Sequence, residues 1–197
     1  MSFDYRAYYR NIYSAEPDYG SFDHSRSARK HILDQKPKSL IDIGCGNGEF
    51  LQYMHRFSPE TTLYGIDVAG QGYDGTVVFN QSATEKWPVD SVDIVTAFDF
   101  LEHLHEDDVD FVISEMGRVS SEVYAKIAYG PSYAKAPDGS DPHLTVKPPT
   151  WWIAKFKEHG FEPFGYIHPE GEYVQSDIVL VFKRTQDEPG HANKRGE

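Results

Sequence analysis

Residues 40–50 read LIDIGCGNGEF, an apolar run that closes on Asp42 and Ile43 and is followed by Gly44, Gly46 and Gly48. Glycine tolerates positive φ and lets the backbone approach a ligand closely, so the string suits a strand-to-helix turn wrapped around a small molecule. Asp42 stands at the strand's end, where a carboxylate can take hydrogen bonds from an ammonium group. The dinucleotide fingerprint needs a third glycine at position 49, and Glu49 occupies it. Carboxylates around such a turn favour a cationic ligand over a pyrophosphate, which prefers a helix N-terminus free of acids. Cys45, the only cysteine, reads as a small filler of the turn, because no base stands beside it to make it a nucleophile.

A second group lies further along, where Asp99, Glu102, His103 and His105 crowd together. His103, His105, His143 and Asp99 are the candidate proton acceptors, histidine titrating near pH ~6.5. His103 has two readings, a catalytic base or a ring packed under the ligand loop. His105 is expected to start the next helix. Glu102, His103, His105, Asp107 and Asp108 have metal-ligand side chains, but acids at a helix start are explained by the helix dipole, so no metal is expected.

The elements that must position these groups follow from periodicity. Tyr5, Tyr8, Tyr9, Ile12 and Tyr13 recur at helical spacing, and a second helix is expected over Phe22 to Gln35. Strands are expected at Lys38–Ile43, Thr61–Asp67, Thr76–Asn80, Ser91–Phe98 and Glu122–Ala128, with helices at Gly48–Phe57 and Glu106–Gly117 between them. The stretch from Gly130 to Pro149 is a long loop, either a functional lid or a solvated connection. Thr150 is expected to cap a helix ending at His159 and Gly160. Two strands near Phe161–His168 and Tyr173–Lys183, joined tightly at Pro169–Gly171, must be antiparallel. Alternating strands and helices closed by a hairpin predict an α/β, doubly wound, mostly parallel seven-stranded sheet with a reversed C-terminal strand. Such sheets bind ligands at the carboxyl ends of their strands, where both residue groups fall.

The glycine string resembles motif I of the class I S-adenosylmethionine-dependent methyltransferases, a Rossmann-like fold. Leu63 to Val68 (LYGIDV), Asn80 to Pro88 (NQSATEKWP) and Phe98 to Leu104 (FDFLEHL) resemble the motifs that follow it, and His143 to Phe161 resembles the C-terminal region of small-molecule members. The resemblance runs from Ser39 to Phe182. It implies S-adenosylmethionine as cofactor, with Asp42, Gly44, Cys45, Gly46 and Gly48 around the methionine moiety. Asp67, followed by Val68, would hold the ribose, and Phe98 would border the sulfonium. Ser82 and Ala83 would approach the adenine, although Ser82 stands where the family often has an acid. Residues 1–36 would form a helical cap over the methyltransferase domain, residues 37–184, with 185–197 a flexible tail. From the cap, Tyr9, Tyr13, Tyr19 or Arg26 would close the site. Arg26 would pair with the cofactor carboxylate or an anionic acceptor. Tyr9, Tyr13, Tyr133 and Lys147 are the expected substrate contacts, and His103 and His143 the catalytic candidates. For most of the tyrosines, packing of the helix on the sheet is the plainer alternative. Trp151 and Trp152 read as helix packing.

Composition limits the partners. The 197 residues carry 31 acids against 19 lysines and arginines, a net charge of -12, which repels a phosphate backbone. A small-molecule methyl acceptor is therefore expected, with nucleic acid disfavoured. No apolar run is long enough to span a bilayer, the N-terminus lacks a signal peptide's apolar core, and the lone cysteine fits a cytoplasmic setting. Two rivals remain at this level: a module that binds the cofactor without catalysis, and a nicotinamide-dependent oxidoreductase.

Overall fold

The computed structural model describes residues 3–16, 19, 24–70, 72–167 and 179–184. The strands are Ser39–Ile43 (β1), Thr62–Ile66 (β2), Thr76–Phe79 (β3), Ile94–Phe98 (β4), Glu122–Lys126 (β5), Phe161–Ile167 (β6) and Val179–Arg184 (β7). They form one seven-stranded sheet in the order β3-β2-β1-β4-β5-β7-β6. All neighbours are parallel except β7, which runs against β5 and β6. The chain leaves β1 to one side for β2 and β3, then returns to its other side with β4. That reversal opens a crevice at the carboxyl ends of β1 and β4.

Among the described residues five helices cover the sheet: Tyr5–Ala15 (α1), Arg29–Gln35 (α2), Glu49–Phe57 (α3), Glu106–Val119 (α4) and Pro149–Glu158 (α5). Successive strand residues face opposite ways, so each strand feeds two cores. Ile41, Ile43, Val95, Ala97, Val123 and Ala125 pack with Val112, Ile113 and Met116 of α4 and with Trp152 and Phe156 of α5. Leu40, Leu63, Ile94 and Tyr124 pack instead with Ile32 of α2 and Leu51 and Met54 of α3. Burying each such aliphatic side chain contributes about 1.5–3 kcal/mol. Among the described residues, no helix is long and apolar enough to cross a membrane.

Several expected boundaries shift for local reasons. The second helix begins at Arg29, not Phe22; a turn in which Ser25 accepts from the amides of Ala28 and Arg29 leads into it. β4 begins at Ile94, because the Asp93 side chain caps the amides of Lys38 and Ser39 and its own amide bonds Ser39. α5 starts at Pro149, whose missing N–H costs nothing in a helix's first turn, so Thr150 is inside the helix and does not cap it. β7 is described from Val179, paired with Ile167, and the expected start at Tyr173 lies outside the described residues. The expected turn at Pro169–Gly171, Phe22 of the second helix and the tail 185–197 lie outside the described residues.

Candidate active site

The glycine turn has the geometry its sequence demands. Gly44, Gly46 and Gly48 all take positive φ, at 72°, 53° and 77°. A Cβ on Gly44 would sit 2.3 Å from the Phe100 ring, so the turn and the segment after β4 close on each other only because that atom is missing. Asp42, buried at the end of β1, accepts a 2.6 Å bond from Thr96 of β4. Across the turn, Asp67 follows β2 and accepts the amides of Gly46 on Oδ2 (3.0 Å) and of Ala69 on Oδ1 (2.8 Å). Each of its oxygens keeps a second lone pair. Burial raises the Asp67 pKa, an effect those two amides oppose.

Cys45 is buried against the positions of Gly65 and Gly70, and burial and the Asp67 and Asp42 charges push its thiol pKa well up, as befits filler. Val68 is partly buried on the core. Ser82 bonds Thr84, and the Ala83 carbonyl accepts the Trp87 indole N–H. Phe98 stacks edge-on with Phe50 at 5.1 Å.

Tyrosines roof this crevice. Ile12 buries one side of α1, and the Tyr5 hydroxyl donates to Asp108 while accepting the His105 amide, so the helix is fastened to the start of α4. Tyr13 packs edge-on to Tyr19 at 5.7 Å, and its pKa is raised by burial and then by the Asp67 charge, which places it near that acid. Tyr9 packs edge-on to His103 at 5.9 Å, and its buried hydroxyl has no partner. Tyr19 is likewise raised by burial and by the Asp99 charge. The roof therefore divides, Tyr13 near Asp67 and Tyr9 over His103.

Past β4 the chain turns sharply. Asp99 takes φ 57°, an unusual value for a non-glycine, and Leu101–His103 form a single 3₁₀ turn. His103 Nδ1 donates to the Pro142 carbonyl at 3.0 Å, and His143 Nδ1 donates to the Gly130 carbonyl at 2.6 Å. The rings meet edge to face at 4.8 Å. Burial and His143 lower the His103 pKa to about 4, so its ring is neutral at pH 7. Glu102 is fully buried; Oε1 accepts the Ala128 amide at 2.8 Å and Oε2 has no partner. Burial and then the Asp99 charge raise its pKa well above the usual carboxylate range.

The loop after β5 is pinned over this cluster. The Thr145 amide bonds the Glu102 carbonyl and its hydroxyl the Leu104 carbonyl, while Asp141 receives the amides of Ser132 and His143. A cavity of about 390 Å³ lies where the loop meets α1, lined by Tyr8, Asn11, Ile12, Ala136 and Asp138 among others.

The structure thus brings His103, His143 and Tyr9 together, and Asp42, the glycines, Asp67 and Tyr13 together. It does not bring in Tyr133, which is wholly exposed, or Lys147, which pairs with Glu106 at 2.7 Å. Arg26 is exposed in the turn before α2. His105 is the N-terminal residue flanking α4, its ring against Phe3. Trp152 is core and Trp151 packs beside it. Sequence reasoning missed Glu102 as a distinct, orphaned carboxylate. Its signal was an acid directly before a histidine on an otherwise apolar turn. Also missed was the chain from Lys126 to His24 to Asp99 (3.1 and 3.3 Å), which pairs strand and cap residues far apart in sequence.

Comparison with known proteins agrees with this arrangement. The family profile described as a methyltransferase domain matches residues 22–121. No curated protein matches the sequence. Among solved structures, the chain superposes on the 1,6-didemethyltoxoflavin-N1-methyltransferase of Burkholderia thailandensis, solved with S-adenosylhomocysteine. There the TM-score is 0.70 at 14% identity, over 92% of this chain and 87% of that one. An S-adenosylmethionine-bound amino pentose methyltransferase of Micromonospora echinaspora gives a TM-score of 0.62 at 15% identity, over 94% and 98% of the two chains. A sugar N-methyltransferase of Streptoalloteichus sp ATCC 53650 gives 0.64 at 13%, over 94% of each. With a profile covering half its length and the glycine turn, acids and switch point in place, this chain belongs to the methyltransferase-domain family, the class I S-adenosylmethionine-dependent methyltransferases.

Proposed function

We propose that the protein methylates a hydroxyl of a small polar metabolite, a sugar or nucleotide-linked compound being the favoured class. The observation that carries the reading is the pair of acids Asp42 and Asp67 flanking three positive-φ glycines under a tyrosine roof. Asp67 keeps one free lone pair on each oxygen, a fit to two ribose hydroxyls, and Asp42 suits the ammonium of the methionine moiety. Val68, Ser82 and Ala83 border the adenine side in this reading, and Phe98 the sulfonium. Residues 1–36 serve as the cap, and a cytoplasmic setting belongs to the same proposal.

When bound, the cofactor supplies a methyl on positively charged sulfur: the acceptor oxygen bonds the methyl carbon as the S–C pair returns to sulfur, and the acceptor loses its proton. The chain's own task is to align the acceptor, worth roughly 7–11 kcal/mol, more than the about 10²–10⁴-fold a base adds. Tyr9, His103 and His143 border the acceptor side, with the 390 Å³ cavity beyond Tyr8 as its approach. A histidine of pKa about 4 is a weak base at neutral pH, so His103 by itself is a poor proton acceptor and a good neutral hydrogen-bond partner.

Incubation with methyl-labelled S-adenosylmethionine and a metabolite extract, followed by mass spectrometry, tests the proposal. A labelled polar metabolite is the expected result. Tight cofactor binding with no labelled product across such extracts would favour the non-catalytic module instead.

A further inference from the structure

One cluster on the proposed acceptor side also carries the donor atoms of a metal site. A carboxylate oxygen of Glu102 and one ring nitrogen each from His103 and His143 all lie within 4.8 Å of one another. Hydrogen bonding decides which atoms are available. Both Nδ1 atoms donate to backbone carbonyls, Pro142 for His103 and Gly130 for His143, which fixes the tautomers and leaves the lone pairs on Nε2. Glu102 Oε1 is held by the Ala128 amide, and Oε2 is buried with no partner at all. A buried carboxylate oxygen without a partner costs several kcal/mol unless something satisfies it. The nearby Asp99 carboxyl can do so only while one of the two acids keeps a proton.

We propose that Glu102, His103 and His143 bind a divalent first-row metal ion through Oε2 and the two Nε2 atoms. Two imidazoles and one carboxylate are the donor set of zinc, iron(II) and manganese sites with open positions for an exogenous ligand. A histidine ligand typically has its second nitrogen bonded to a carbonyl or carboxylate, and both histidines are already held that way. A loaded tetrahedral site would bring the three donors to roughly 3.3 Å from one another, closer than the 4.8 Å limit within which they lie here. The Tyr9 ring packs on His103 at 5.9 Å, on the side that the proposed function gives to the acceptor. This reading replaces the sequence expectation of no metal. The helix-start acids Asp107 and Asp108, which prompted that expectation, take no part.

The consequence for the reaction rests on the methyl-transfer proposal. An acceptor hydroxyl coordinated to the ion gives up its proton to solvent near neutral pH, because the ion stabilises the alkoxide. The alkoxide pair then forms the C–O bond while the S–C pair returns to sulfur, with no change of oxidation state anywhere.

The test uses the full chain stripped with a chelator and dialysed. Zinc and manganese are titrated calorimetrically, and cobalt(II) is followed by its visible absorption, for wild type, His143→Gln and Glu102→Gln. S-adenosylmethionine affinity and melting temperature are measured on the same samples. The expected result is one ion per chain, a cobalt spectrum of mixed nitrogen and oxygen ligation, and at least about 100-fold weaker binding in His143→Gln, beyond the 10–100-fold typical of outer-shell changes. His143 sits on a loop, so this variant keeps its melting temperature if Glu102→Gln does not fold. No stoichiometric binding of any of the three ions, or binding unchanged in His143→Gln, overturns the site. Metal binding with no affinity for S-adenosylmethionine would leave the site standing and overturn the methyl-transfer proposal alone.

Discussion

In the proposed reading Asp67 holds the cofactor's ribose through both of its oxygens. Asp67→Ala is expected to weaken S-adenosylmethionine binding at least about tenfold, since two hydrogen bonds to a charged group are lost, each contributing roughly 1.5–3 kcal/mol. Unchanged affinity by calorimetry would remove the ribose assignment. Gly44→Ala tests the turn, where the added carbon meets the Phe100 ring at 2.3 Å on a backbone with φ 72°. The left-handed strain alone costs about 1–2 kcal/mol, and roughly 2–4 °C of melting temperature goes with each kcal/mol in a chain this size. A melting temperature equal to wild type would mean that Phe100 swings away freely. These residues were legible in the sequence because a glycine string and a strand-end acid announce themselves over a few positions. Glu102 was not, because its surroundings are built by Ala128 and by a histidine far along the chain. The division of labour between Tyr9 and Tyr13 was equally hidden, since helical spacing places both on one face without saying what lies beneath.

At the scale of elements, the alternation of strands and helices and the reversed last strand could be read from apolar periodicity, and every expected element within the described residues is present. The ends could not be read, because they are set by side chains from other elements. β5 illustrates this: apolar residues continue to Ala128, yet the ladder stops at Lys126, and the Ala128 amide goes to Glu102. α4 holds the structure on the other face through Glu115, which is buried and accepts the Trp87 amide at 2.8 Å and two Arg118 nitrogens at 2.6 and 2.7 Å. The Arg118 bonds hold its pKa below the ordinary value of 4.5 against the opposing cost of burial. A depressed carboxylate pKa means stability that is complete above the unfolded value and is lost as pH falls through the folded one. Wild type is therefore expected to lose stability below about pH 4.5 partly through this group. Glu115→Gln should be less stable at pH 7 by about 1.5–3 kcal/mol and should show a shallower acid limb in denaturant titrations. An acid limb of equal slope in the two proteins would assign the loss to other carboxylates.

For the whole molecule, the charge balance acts on what reaches the crevice. The chain carries a net charge of -12, and Asp42, Asp67 and Asp99 gather at one end of the sheet. A field of that sign concentrates cations and repels phosphate backbones, an effect that salt screens as the Debye length falls from ~30 Å at 0.01 M to ~8 Å at 0.15 M. S-adenosylmethionine carries a positive sulfonium, whereas its demethylated product is neutral at sulfur and otherwise the same shape. Contacts to ribose, adenine and amino acid are common to both ligands, so the difference in their salt dependence isolates the charge. Raising the salt from 0.01 M to 0.15 M is expected to weaken the sulfonium compound's binding several-fold and the product's much less. The same field lets the spent cofactor leave more readily than the fresh one binds, which favours turnover. Calorimetry of both ligands at the two salt concentrations decides the matter. Parallel losses for the two would mean that the crevice does not sense the charge on sulfur, and that shape and hydrogen bonds alone distinguish cofactor from product.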